Sequence, residues 1–476
     1  MPRVSIVIPT YNRVALLRET LDSALAQTYR DLEIIVVDNA SEDDTPAFMA
    51  RYTERDARVQ YVRKPVNKGM VDSYNMGYRL AQGEFVHLLD SDDTITPDAT
   101  AAQVDLMDRR ADVDLIYTRY FYVDAAGRKL CLSDIPPQTD AETFRQMLRS
   151  NIVQMNSALM RRKIMGVTPD GPYDQNVPTG ASDWHFLLKL LLNGSRIMGL
   201  STPMLLYRIH PGNHTRNIAG FENDLKTTHA WLFSDPRLPE NVRAEKDASL
   251  ELHYLWFCLG YYLKGDFDEG RRTLMTVWNL RPDWHATPDV LVQRLAGVAA
   301  NPWVPAPHTF VDNLLAHPPA ELPWLKDQDR GGRLRAKVWL VLAMRASDQD
   351  GQGDVDAFQH HVRAAFDADP GLRRDSRDFV EAVAEYSQRS ITNDPHVFVE
   401  RVMRALPSSV DAWVNRNDIL GTFYTADAFG QYASGNHRRV ITDVLAAGRH
   451  RPRTMLNRGV LSILTKSMRS LIRQAA

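Results

Sequence analysis

At 476 residues the chain exceeds one ordinary hydrophobic core, so two or more domains are expected. Its 44% apolar and 24% charged residues are those of a folded protein, and the balance of 57 basic against 59 acidic residues argues against bulk nucleic-acid binding. Two cysteines, Cys131 and Cys258, make no disulfide framework and point to a reducing compartment.

The elements alternate from the start. VSIVIP (4–9) is a β-branched run of the kind found in strands buried on both faces. VALLRETLDSALAQ (14–27) has helical spacing, with Leu17, Leu21, Ala24 and Leu25 on one face. LEIIVVD (32–38) reads as a second strand, SEDDTPAFMARYTE (41–54) as a helix, VQYVRK (59–64) as a third strand and MVDSYNMGYRLAQ (70–82) as a helix. EFVHLLD (84–90) is a fourth strand. Such alternation implies a mostly parallel sheet covered by helices, with ligands at the carboxyl ends of the strands. Those ends carry Pro9-Thr10-Tyr11-Asn12, Asp38-Asn39 and Asp90-Ser91-Asp92. DLIYTRYFYVDAAGRKLCL (114–132) is expected to form a hairpin turning at Ala126-Gly127, ALMRRKIM (158–165) a strand, SDWHFLLKLLLNG (182–194) a helix and YRIHPGNHTRN (207–217) a loop.

From 221 onward the chain reads as helical. Three stretches start at Gly265, Gly353 and Gly435 and end at Pro282, Pro370 and Pro452, a separation of 17 in each. Each reads as an inter-helix turn and an amphipathic helix stopped by proline, like the second half of a tetratricopeptide-type hairpin. The expected division is therefore an α/β domain over 1–220 and an α-helical domain of hairpins over 221–476. The start, MPRVSIVIPTYNR, has no long apolar stretch with a cleavage site, and YLWFCLGYYL (254–263) falls short of the roughly 20 residues that cross a bilayer. A cytoplasmic protein is expected. The last segment, 454–474, combines Leu461, Leu464, Met468, Leu471 and Ile472 with Lys466, Arg469 and Arg473. It reads either as the packed last helix or as a peripheral contact with a membrane surface.

The chemistry centres on FVHLLDSDDTITPD (85–98), with no Lys or Arg between Glu84 and Arg109. Asp90, Asp92 and Asp93 either cap the next helix or share one hard divalent cation, Mn2+ or Mg2+. SIVIPTYNR, VVDNASEDDT, NKGMVDSYNMGYRLAQGEFVHLLDSDD and a downstream Ser-Asp followed by Tyr-Arg-x-His resemble, in order and spacing over residues 3–215, the family 2 glycosyltransferases of GT-A fold.

The resemblance implies a Rossmann-like nucleotide-diphospho-sugar transferase fold and an inverting transfer from a nucleotide-diphosphate sugar to an acceptor hydroxyl. Pro9, Tyr11 and Asp38 match positions around base and ribose. Lys68 and Gly69 match the loop beside the nucleotide, and Asn75 a buried Asn whose plainer reading is a helix-to-loop hydrogen bond. Asp90 matches the ribose-side acid and Asp92 the metal ligand, with Asp93 either supporting it or capping a helix. Asn39-Ala40 departs from the family's second acid and Gly. Asp183 in GASDWHF matches the general base, although Ser182 replaces the usual Glu, and an N-cap is its alternative reading. His210 matches a residue reaching metal or diphosphate; His214 is its rival, and Arg208 is expected to meet phosphate. Tyr117, Arg119, Tyr120 and Tyr122, with segment 151–160, are candidates for the acceptor wall. The implied acceptor is a glycan, a lipid-linked group or a protein, with the helical domain binding acceptor, partner or a second copy. Two other readings stand beside this one: a catalytically weak nucleotide-binding module on a helical scaffold, and nucleotidyl transfer.

Overall fold

The computed structural model describes the chain except residues 135, 137–139, 167–170, 176–178, 211–217, 302–303, 305, 393, 412–413, 415, 434–435 and 476. Two compact units are present: Met1–Arg128 with Ile135–His253, and Lys129–Asp134 with Tyr254–Ala476.

In the first unit, β1 (Val4–Thr10) pairs in parallel with β2 (Leu32–Asp38) and β4 (Phe85–Leu88), and β2 with β3 (Val59–Arg63). Every residue of β1, β2 and β4 is buried, as their apolar runs predict. Glu33 tolerates this because Ser5 Oγ, Gln60 Nε2 and the Gln82 N–H donate to its carboxylate. Helices α1 (Val14–Leu25), α2 (Thr45–Arg55), α3 (Met70–Leu80) and α4 (Ala99–Arg109) follow the strands. α3 lies close on the sheet: a Cβ on Gly77 would stand 2.2 Å from Val7 Cγ1.

The sheet continues past β4 through short or irregular strands. These are β5 (Thr94–Ile95), β6 (Leu115–Val123), β8 (Leu159–Arg161) and β9 (Ile197–Arg208), while β7 (Lys129–Leu132) belongs to the second unit. The order is β3-β2-β1-β4-β8-β6-β9-β5. β8 runs antiparallel to β4 and β6, and β9 parallel to β6 with register shifts around Arg119. The strand expected over 158–165 stops at Arg161, where Arg162–Ile164 turns into a 3-10 helix. β9 was not anticipated from the sequence. The turn after β6 is made by the Asp124 carboxylate, which accepts from the Ala126 and Arg128 N–H groups, with Gly127 at φ 81°.

Helices α5 (Asp140–Arg149), α6 (Ser182–Leu192) and α7 (Ile218–Ser234) complete the first unit's described packing near the site. The division falls at residue 253, where the sequence placed it at 220. The reason is side-chain packing: Trp184 on α6 lies 5.5 Å from the His229 ring and 5.3 Å from that of His253. Asp224 also accepts from the Gly180 N–H, and Ser249 donates to the Leu148 carbonyl.

The second unit is helical. The three anticipated helices are Phe267–Leu280, Val355–Ala368 and His437–His450, each of 14 residues. Asp266, Asp354 and Asn436 cap them by accepting from Glu269, Ala357 and Arg439 N–H groups. Gly265 and Gly353 have φ of 79° and 81°, the left-handed conformation a turn into such a helix requires; Gly435 lies outside the described residues. A 3-10 turn starting at Pro282, Pro370 or Pro452 follows each helix. The last helix, Arg458–Ala475, buries Val460 and Ile463 against Ala428, Val440 and Val444. Leu461 and Met468, placed on its apolar face by the sequence, are 41% and 49% exposed. Among the described residues no helix is long and apolar enough to cross a membrane.

Candidate active site

The loop leaving β1 and the loop leaving β2 lock together. Asn12, at φ 50°, receives Ser41 Oγ as acceptor for its N–H and offers Oδ1 to the Glu42 N–H. Ala40 stands at φ 67°, a strained conformation for a residue with a Cβ and of a kind that clusters at functional loops. Asp38 is fully buried. Its Oδ1 accepts from the Ser41 N–H at 2.8 Å, and its Oδ2 from Tyr61 at 2.6 Å with Arg63 Nε 3.6 Å away. Asn39 donates to Asn67 Oδ1 and accepts from the Lys68 N–H, so the residue that departs from the family pattern seats the Lys68-Gly69 loop. Gly69, at φ 85°, has nothing within 4 Å of where a Cβ would stand. Pro9 is buried in β1, whereas Tyr11 and Lys68 are exposed.

Asp90, Asp92 and Asp93 each place a carboxylate oxygen within 4.8 Å of the others. None of them caps a helix: α4 begins only at Ala99, so the capping reading of Asp92 and Asp93 is set aside. Asp92, 8% exposed, is paired with basic side chains from distant sequence. Arg13 Nη1 lies 2.7 Å and His210 Nε2 2.9 Å from its Oδ2. Burial pushes its pKa up, but His210 and Arg13 outweigh this and hold it below the usual carboxylate range. The cluster therefore has a local counter-charge that the sequence around 84–109 does not reveal. Asp90 accepts from the Tyr74 hydroxyl and, at 2.7 Å, from Asn156 Nδ2. Asp93, 1% exposed, accepts from Asn156 Nδ2 at 2.6 Å and from the Arg208 N–H at 2.8 Å. Burial and then the neighbouring Asp92 raise the pKa of both.

Arg208 differs from its expected role. Its Nε donates to the Asp92 carbonyl, Nη1 to the Ala125 carbonyl and Nη2 to Glu19, so the guanidinium clamps the acidic loop. Its side chain is 5% exposed. The oxygen-rich donor set of Asp90, Asp92 and Asp93, with His210 beside it, fits a hard divalent cation.

Asp183 stands apart from this cluster, in the first turn of α6. It is not the N-cap: its Oδ1 accepts from the Trp184 N–H at 2.7 Å and its Oδ2 from Asn151 Nδ2 at 2.9 Å. α6 is fixed by the Trp184 indole N–H donating to the Met147 carbonyl. Burial raises the Asp183 pKa to about 6, and the charge of Asp90 adds to the rise against the two hydrogen bonds. Tyr173 senses both Asp183 and Asp90 and lies between rings of Tyr74 and Phe186, at 5.4 and 5.8 Å. Asn75 holds that loop by donating to the Tyr173 carbonyl and accepting from its N–H, which is the helix-to-loop role.

Among the acceptor-wall candidates, Tyr117 and Arg119 are buried in β6. Tyr120 and Tyr122 share a hydroxyl contact at 3.1 Å and cluster with Tyr207. His214 lies outside the described residues. Sequence reasoning did not single out Arg13 or Tyr74, and it named Asn151 and Asn156 only within the acceptor-wall segment 151–160. Arg13 ends the quoted SIVIPTYNR, and both asparagines are polar interruptions in NIVQMNSALM.

Residues 5–166 match the family described as Glycosyl transferase family 2. An uncharacterized glycosyltransferase of Haemophilus influenzae is 29% identical over 34% of this chain, and the match spans 64% of that relative's length. An uncharacterized glycosyltransferase of Methanocaldococcus jannaschii is 26% identical, covering 44% of this chain and 71% of the relative. The mannosyltransferase of Pyrobaculum calidifontis, solved with GDP-Man and Mn2+, is 20% identical, covers 66% of this chain and 87% of that one, and superposes with a TM-score of 0.45.

Proposed function

Starting from residues 5–166 as a family 2 glycosyltransferase domain of GT-A fold, we propose that the protein transfers a sugar from a nucleotide-diphosphate donor to an acceptor hydroxyl, with inversion. The observation that carries this reading is the separation of carboxylates by environment. Asp92 is held below the usual carboxylate range by His210 and Arg13, whereas Asp183, on α6, has its pKa raised to about 6.

The donor's base and ribose lie along Pro9, Tyr11, Asp38 and the Lys68-Gly69 loop, with Asp90 on the ribose side. Asp38, whose oxygens are both engaged, acts by holding the β2 loop in shape. Asp92 and His210 are the residues that would hold Mn2+ or Mg2+, with the Asp90 and Asp93 carboxylates close enough to share it. When bound, such a cation supplies Lewis-acid stabilisation of the charge that develops on the leaving diphosphate. Arg13, now on Asp92, is placed to meet an anionic donor. Asp183 takes the proton of the acceptor hydroxyl on the opposite face of the sugar, while Asn151 and the Trp184 N–H keep its carboxylate oriented. Tyr173, fixed by Asn75, stands within electrostatic reach of both Asp90 and Asp183.

The acceptor is a glycan, a lipid-linked group or a protein, and the tetratricopeptide-like helical region binds acceptor, partner or a second copy. The reading is tested by Asp183→Asn. Transfer should fall about 10²–10⁴-fold, the usual contribution of a general base, with nucleotide-diphosphate binding retained. Normal turnover by that variant would end the assignment.

A further inference from the structure

Asn156 is 1% exposed and sits in the 3-10 turn Met155–Ser157 beside the acidic loop. Its Nδ2 carries two hydrogens, and each has a carboxylate: Asp90 Oδ2 at 2.7 Å and Asp93 Oδ2 at 2.6 Å. Its Oδ1 accepts from the Asp90 N–H at 3.3 Å. The backbone carbonyl of Asn156 is held in turn by His87 Nε2 at 2.7 Å, from β4 three residues before Asp90. His87 is buried and its pKa is pushed down to about 4 by that burial, so the neutral ring donates from Nε2. One amide thus fixes two carboxylates that repel each other.

The choice of an amide matters. A lysine or arginine at this point would fix Asp90 and Asp93 by cancelling their charge. A neutral double donor fixes the geometry and leaves the charge in place. Asp92 is treated oppositely, being held by Arg13 and His210. We infer that Asn156 is a positioning residue that spaces Asp90 and Asp93 around a divalent cation without neutralising them; this rests on reading the cluster as a cation site. Supports of this kind, which touch ligating carboxylates and not the metal, are typically worth 10–100-fold in metal affinity.

The test uses the full chain and Mn2+ alone, followed by the electron paramagnetic resonance signal of free Mn2+. Asn156→Ser retains one donor hydrogen and Asn156→Leu retains none. The Mn2+ dissociation constant should rise in that order, by roughly 10–100-fold for the leucine variant. Turnover lost at low Mn2+ should return at high Mn2+, which a purely structural defect would not allow. His87→Leu leaves the amide but frees its carbonyl, and a smaller rise of the same kind is expected where the asparagine variants fail to fold. Folded variants that bind Mn2+ like the wild type overturn the inference, as does a wild-type chain that binds no Mn2+. A wild type that binds Mn2+ but transfers no sugar defeats the proposed function and leaves the role of Asn156 standing.

Discussion

At the scale of single residues, Asp183 decides most. As a base it works only when ionised, so kcat/KM should fall as pH drops through about 6 and level off above it. Asn151 donates to the ionised form and lowers this pKa, so Asn151→Leu should move the acidic limb to higher pH; an unmoved limb would show that the hydrogen bond does not act on the base. The stability effect has the opposite sign. Between the ordinary carboxylate value and about 6 the folded chain binds this proton more tightly than the unfolded chain, so stability falls as pH rises through that window. Asp183→Asn should consequently melt no lower than the wild type at pH 7.5, by calorimetry. The ionisable members of the site were legible because few residue types do such chemistry. Arg13 and Asn156 were not, since each meets Asp90–Asp93 only through strand pairing and a turn that bring positions dozens of residues apart together.

Among the elements, those that carry their own signal in sequence were the readable ones. β1 and β2 are apolar runs broken before their polar ends only by Ser5 and Glu33, and the three Gly-to-Pro stretches contain turn, cap and stop in one window. Asp354→Ala should cost about 1 kcal/mol in urea denaturation of the full chain, the usual loss of an N-cap. Gly77→Val should cost more, about 1–3 kcal/mol or above, because α3 leaves no room over Val7. A wild-type midpoint for Gly77→Val would mean α3 sits farther from the sheet. β5 and β9 were obscure for physical reasons, whereas β8 was read but too long. β5 has two residues, and β9 mixes exposed and buried positions with Gly199 and Pro203 inside it. Yet β9 delivers Arg208 and His210 to the acidic loop, so the least legible strand completes the candidate site.

For the whole molecule, the α/β-then-helical order followed from alternation and its cessation, but the division at 253 depended on Trp184 packing with His229 and His253, which no periodicity encodes. A native-state ligand raises apparent stability, by about 2.7 kcal/mol at a hundred times its Kd. UDP or GDP with Mn2+ should therefore raise the melting temperature of the chain, and EDTA should abolish most of that rise. The central claim, sugar transfer divided between a cation-holding cluster and a separate base, is tested most directly by incubating the chain with a panel of nucleotide-diphosphate sugars, with Mn2+ or with EDTA, and measuring released nucleoside diphosphate. The account predicts release from at least one donor that requires Mn2+ and is lost in Asp183→Asn while binding persists. Bound nucleoside diphosphate with no release from any donor would contradict it and favour a nucleotide-binding scaffold.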